Sequence, residues 1–159
     1  MDTITTRQST QTPQHYGCFA AGWPLLLQYN PDCELRRKPT IHPQPHSSAV
    51  FPGLIEYGGW PLPLFDLQSV ANPDPPGDYS TPDQTWVIVW GRGRDAFGLR
   101  LDNSPVAVTD LRLARSPQTL PNVIESCLKS VFSTENQYWL VIDPVRLGRQ
   151  LSRLASIHY

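Results

Sequence analysis

Lysine is nearly absent from this chain. Of thirteen basic residues only Lys38 and Lys129 are lysines, and fourteen acids bring the net charge to −1 over 159 residues. A chain so balanced has no overall field to recruit nucleic acid or an anionic membrane. The arginines suit forked hydrogen bonding at interfaces, although codon bias gives the same composition. Charged residues make up only 17% against 40% hydrophobic, which excludes wholesale disorder and permits a packed core in one domain. Cysteine is scarce too. Cys18, Cys33 and Cys127 are odd in number and far apart, which excludes a disulfide framework and fits a reducing compartment. No run reaches the roughly 18 apolar residues of a membrane span, and the polar stretch from Asp2 to Gln14 has no apolar signal core. These absences predict a soluble, cytoplasmic protein with no direct membrane insertion.

Motifs that carry chemistry are equally sparse. There is no Gly-x-Ser-x-Gly elbow, and Ser47-Ser48 lies in a loop without glycine support. There is no Cys-x-x-Cys. His42 and His46 have a tolerable ligand spacing and could join Cys18 and Cys33, but Pro43 and Pro45 prevent the helix that usually presents such a pair. A surface loop with incidental histidines is the better reading, so no metal is assigned. Gly91-Arg-Gly-Arg-Asp-Ala96 imitates a dinucleotide fingerprint. That fingerprint must open a helix, whereas Phe97, Leu99 and Leu101 alternate with Gly98 and Arg100 as a strand, so the segment reads as a hairpin tip and no cofactor is assigned. Glu56 and Asp66 fall at opposite ends of one strand, too far apart for a glycosidase pair. Asp66, Asp102 and Asp143 read as caps and strand-end turns, and Cys127, on an apolar face, as a core thiol. No catalytic residue is assigned.

What the chain does have is seventeen prolines and ten glycines, the punctuation of short strands and many turns. Residues 1–15 are polar and read as a disordered tail. Gly17 to Tyr29 reads as a strand or hairpin pair, with Phe19, Trp23, Leu25 and Leu27 on one alternating face. Pro31 to Ser48 is mostly loop, with a short strand possible around Cys33 to Leu35. Asn72 to Asp83, with Pro73, Pro75, Pro76 and Pro82, reads as a stiff connector. Trp86 to Trp90 is a five-residue apolar run, expected to be a strand buried on both faces. Thr119 to Phe132 satisfies both periods: Val123, Ile124, Cys127, Leu128 and Val131 recur helically, while Ile124, Ser126, Leu128 and Ser130 alternate. Asp143-Pro144 is a helix start, and Leu147, Leu151 and Leu154 form one stripe on the helix that follows.

The densest information lies between Gly53 and Leu67. Two apolar runs flank Gly58-Gly59, the pattern of a tight hairpin. The second run carries Pro61 and Pro63, two apart, so both missing donors lie on one side of the strand. That side must face solvent, a bulge or a partner. Trp60 follows the turn at a tip where the strand cannot bury it fully, with Tyr57 beside it, an aromatic pair suited to anchoring an interface. Gly22-Trp23-Pro24-Leu25 recurs as Gly59-Trp60-Pro61-Leu62, a short internal echo.

Gly53, Ile55, Gly59, Pro63, Asp66 and Leu67 together resemble the CheW-like domain, the adaptor fold of bacterial chemosensory arrays. Phe97-Gly98-Leu99-Arg100-Leu101-Asp102 is similar to that family's Gly-Leu-x-Val-Asp segment, and Leu140-Val141-Ile142-Asp143 with Leu147 to its closing strand and helix. The resemblance runs from about Gly17 to Leu154 and favours strand within Thr119 to Phe132. It implies an all-β fold of two small five-stranded SH3-like barrels with a C-terminal helix. The first barrel would span about 16–71, the connector 72–83, the second barrel about 84–142, and the helix 143–155. It also implies a non-catalytic adaptor whose partners are a CheA-type histidine kinase and a chemoreceptor (methyl-accepting protein) or another CheW-like adaptor. The family usually carries Asn and Arg where this chain has Glu56 and Gly58, so those contacts do not transfer to these two residues, and an altered choice of partner is expected. The docking residues expected here are Glu56, Tyr57, Gly58, Trp60 and Leu62. Two rival readings are a small all-β hydrolase using Glu56 or His46, and a small-barrel nucleic-acid binder using Arg36, Arg37, Arg92 and Arg94.

Overall fold

The computed structural model describes residues 15–28, 33–71, 86–117 and 119–157. The expected tail (apart from His15) and the expected connector lie outside the described residues. Twelve strands are described: β1 His15–Ala20, β2 Trp23–Gln28, β3 Cys33–Arg37, β4 Ile41–His42, β5 Gly53–Tyr57, β6 Trp60–Phe65, β7 Trp86–Trp90, β8 Phe97–Leu101, β9 Val106–Ala107, β10 Arg112–Ala114, β11 Leu128–Ser133 and β12 Tyr138–Ile142. Among the described residues three α-helices and one 3-10 turn, Gly93–Asp95, join them: α1 Gln68–Ala71, α2 Asn122–Glu125 and α3 Pro144–Ile157. The fold is mainly β, as expected, with two sheets and a closing helix.

The sheets do not divide where the connector suggested. One runs β10-β11-β12-β2-β1-β9 and the other β3-β7-β8-β6-β5-β4. The N-terminal hairpin β1–β2 therefore leaves the strands that follow it and joins the C-terminal ones, through a parallel pairing of Leu25 with Leu140. The expected boundary of a first barrel at 16–71 and a second at 84–142 is corrected accordingly: residues 33–101 make one sheet, and the two ends of the chain make the other. Each sheet counts six strands rather than five, because the two-residue strands β4 and β9 add an edge to each.

Residue pattern explains why two sheets pack as they do. In β7, Val87 and Val89 point into one cluster with Ile55, Leu62, Leu64 and Ala96, while Ile88 and Trp90 point into another. In β12, Trp139 and Val141 join Leu26, Val108 and Phe132, while Leu140 and Ile142 face the opposite way. Each sheet thus has an inner cluster of its own, and a third, larger cluster between the sheets holds Leu25, Phe65, Ile88, Leu99 and Leu140. A strand with apolar residues on both faces is what two barrels sharing a wall require. The curl is visible directly. β3 and β5 are four places apart in their sheet, about 19 Å if it were flat, yet the Arg36 guanidinium lies 4.9 Å from the centre of the Tyr57 ring.

One expectation about faces fails here. Phe19 does not share a face with Leu25 and Leu27. It packs with Leu26 and Trp139 on the other side of the sheet, because Phe19 sits opposite Pro24 rather than in line with Leu25. Thr119 to Phe132 satisfies both periods because it contains both structures: α2 buries Val123 and Ile124, and the strand β11 begins after Cys127. Helix α3 starts as expected. Asp143 Oδ1 accepts from the Val145 amide at 3.0 Å, and Leu147 and Leu151 are fully buried in the inter-sheet cluster. Gly148 lets the helix approach the sheet, since a Cβ there would stand 2.8 Å from the Phe97 ring.

Candidate functional site: an open groove beside the β5–β6 tip

The Gly58-Gly59 turn has φ of 58° and 82°, positive at both central residues as a two-residue hairpin of this hand demands. Tyr57 pairs with Trp60 across it, then Glu56 with Pro61 and Leu54 with Pro63. Alternate pairs in such a ladder exchange hydrogen bonds, beginning with the pair that flanks the turn. Pro61 and Pro63 therefore turn their donor-less nitrogens away from β5. On that side β8 pairs with β6 only at Leu64 and Phe65, so the two strands part where the prolines begin.

The gap between them is a groove of about 600 Å³. One wall is Tyr57, Trp60, Pro61 and Pro63, and the other is the Gly91–Ala96 turn with Arg92 and Arg94. Trp60 is 74% exposed, a large apolar side chain standing in solvent at the groove's lip. Tyr57 is held from behind: its hydroxyl donates to the Glu34 carboxylate, which also pairs with Arg36 at 3.4 Å, and Arg36 stacks on the ring. That hydrogen bond to Glu34 raises the tyrosine's pKa above its ordinary value and fixes the ring's orientation.

Of the five residues expected to dock a partner, Tyr57, Gly58 and Trp60 line the groove from its outer side. Glu56 is exposed on β5 but is not among the lining residues. Leu62 also lines the groove, but only at its floor: it is 4% exposed and packs inside the barrel with Ile55 and Leu64. The reason is period: Leu62 and Leu64 share a face of β6 that turns inward. The second wall is what sequence reading missed. Gly91 to Ala96 was legible as a turn, but nothing local said which strand it would stand beside.

The remaining candidates have structural roles. Asp66 accepts from the Gln68 amide at 2.9 Å and faces Arg100 at 3.4 Å, and burial raises its pKa despite those partners. Asp102 accepts from the amides of Ala21 and Gly22 at 3.0 and 2.7 Å. Cys127 donates to the Val123 carbonyl from a buried position, and burial pushes its thiol up to about 11. Burial likewise pushes Cys33 up to about 11 and Cys18 higher, so none offers a thiolate near neutral pH. Among the described residues no three His, Cys, Asp or Glu side chains are grouped to hold a metal ion. The groove is lined by neither Glu56 nor His46, the residues of the hydrolase reading. No described helix is long and apolar enough to cross a membrane.

Two small barrels back to back, with a proline-walled groove on an outer edge, define a β module that presents surfaces. The comparisons agree with that class. The family model of the CheW-like domain matches residues 33–151, and the chain belongs to that family. The crystal structure of the scaffolding protein TtCheW from Thermoanaerobacter tengcongensis superposes with a TM-score of 0.60 at 16% identity, covering 84% of this chain and 86% of that one. The likeness is one of fold. No protein of curated function matches the chain by sequence.

Proposed function

We propose that the chain is a non-catalytic adaptor of a bacterial chemosensory system, acting in the cytoplasm. In this reading the groove beside Trp60 docks the regulatory domain of a CheA-type histidine kinase, and another surface meets a chemoreceptor or a second CheW-like adaptor. The carrying observation is Trp60 itself, 74% exposed where β6 leaves the two-residue turn, beside an open apolar groove. Exposed aromatics backed by ordered neighbours are the usual anchors of interfaces. The prolines keep this edge from pairing indiscriminately with other strands, while leaving side chains free to dock. Membership of the CheW-like family supports the adaptor role. Each contact would bury about 800 Å² per partner or less, giving reversible links that an array strengthens by multivalency. Glu56 and Gly58, standing where the family usually has Asn and Arg, would redirect partner choice through charge.

The test is calorimetric titration of the full chain against the regulatory domain of a CheA-type histidine kinase. Trp60→Ala should leave the chain folded and weaken binding by more than about 1 kcal/mol, roughly fivefold. Equal affinity for the variant would remove the anchor.

A further inference from the structure

A second cleft, of about 350 Å³, lies between the Gly91–Ala96 turn and the outer face of α3. Arg94 lines it from the turn, and Arg149 and Arg153 line it from the helix. The two helical arginines are four residues apart, one turn along a single face, a spacing at which like charges repel. Asp95 is the one acid in the lining. Other arginines have found partners: Arg36 pairs with Glu34, Arg100 with Asp66 and Arg146 with Asp143. Arg94, Arg149 and Arg153 form no ion pair among the described residues. Three guanidinium groups from two separate elements therefore converge on one cleft with a single carboxylate among them.

This cleft shares Pro63, Arg94 and Ala96 with the groove beside Trp60. The two make one furrow, apolar at the hairpin tip and basic where it meets α3. We propose that the basic end binds an acidic segment of a partner protein. Its carboxylates would lie against Arg94, Arg149 and Arg153 while an apolar neighbour enters the proline-walled groove. Arginine forks donate two parallel hydrogen bonds to a carboxylate, so three of them give direction as well as attraction. Nucleic acid fits less well, because a long polyanion needs a longer basic track and the chain as a whole carries −1. The apolar half rests on the docking reading above; the basic half stands apart from it.

The experiment uses the full chain and a fluorescein-labelled ten-residue peptide of glutamate and leucine, followed by anisotropy. Its controls are the same peptide with glutamine for glutamate and a single-stranded oligonucleotide of equal charge. The acidic peptide should bind, and the glutamine peptide should bind at least about tenfold more weakly. Arg149→Glu with Arg153→Glu, both exposed on α3, should cost at least about tenfold, and Arg94→Glu should weaken binding in the same direction. Arg112→Glu, on β10 of the other sheet, should change affinity less than about twofold. Undiminished binding by the Arg149/Arg153 double variant, equal binding of the glutamine peptide, or equally tight binding of the oligonucleotide would overturn the proposal. If Trp60→Ala weakens kinase binding while the charge variants do nothing to the peptide, the docking reading survives and this inference fails. Loss in the charge variants without any Trp60 effect would mean the reverse.

Discussion

The same four residues, Gly-Trp-Pro-Leu, close two hairpins in this molecule, and the two tips have opposite fates. Ala21-Gly22 has φ of 52° and 80°, and Gly58-Gly59 has 58° and 82°. Ala20 faces Trp23 in one register and Tyr57 faces Trp60 in the other. The local geometry is the same turn made twice. At the first tip both central amides are held by Asp102, and the Trp23 indole N–H donates to the Ala71 carbonyl at 2.6 Å. At the second tip Trp60 stands in solvent, 74% exposed. Local sequence sets the hairpin. Whether its tryptophan becomes structure or surface depends on what the rest of the fold brings alongside. β8 ends at Leu101, which puts Asp102 next to the first tip, but it parts from β6 before the second.

Substitutions at matched positions should separate the two tips. The largest contrast is between the tryptophans. Trp23→Ala should destabilise the fold by about 3 kcal/mol, since it loses packing against the inter-sheet cluster and a hydrogen bond to the end of α1. Trp60→Ala should stay within about 0.5 kcal/mol of the parent in chemical denaturation. Equal losses would mean that Trp60 is structural and the comparison is empty. Next, Asp102→Ala should cost about 2 kcal/mol, because it releases two amides from a charged acceptor and leaves Ala21 in the left-handed region without its anchor. A smaller effect, about 1 kcal/mol, is expected for Gly58→Ala, which adds only the backbone strain of a Cβ at positive φ. Denaturant midpoints measured at constant slope would order the four.

Much of this was legible in the chain because it is local. Gly58-Gly59 between apolar runs specified a hairpin, and Pro61 with Pro63 specified an open strand side. The Asp143-Pro144 pair specified where α3 begins. The partition into sheets was not legible, because it depends on Leu25 meeting Leu140 across most of the chain, and no short-range signal encodes a pairing at that distance. Nor was the role of Gly17, where a Cβ would stand 2.4 Å from the Trp139 ring. A glycine of this kind looks like any other until the ring packed on it is known. The site divides along the same line. Trp60 at an exposed tip followed from the turn, whereas the opposing wall from Gly91 to Ala96 and the inward turn of Leu62 required the fold.

Hydrogen–deuterium exchange on the full chain, alone and saturated with the regulatory domain of a CheA-type histidine kinase, tests the proposed adaptor account most directly. Backbone amides in 57–64 and 91–96 should gain protection on binding, while the Ala21-Gly22 tip should not change. Protection confined to other surfaces, with 57–64 and 91–96 exchanging as in the free chain, would contradict it.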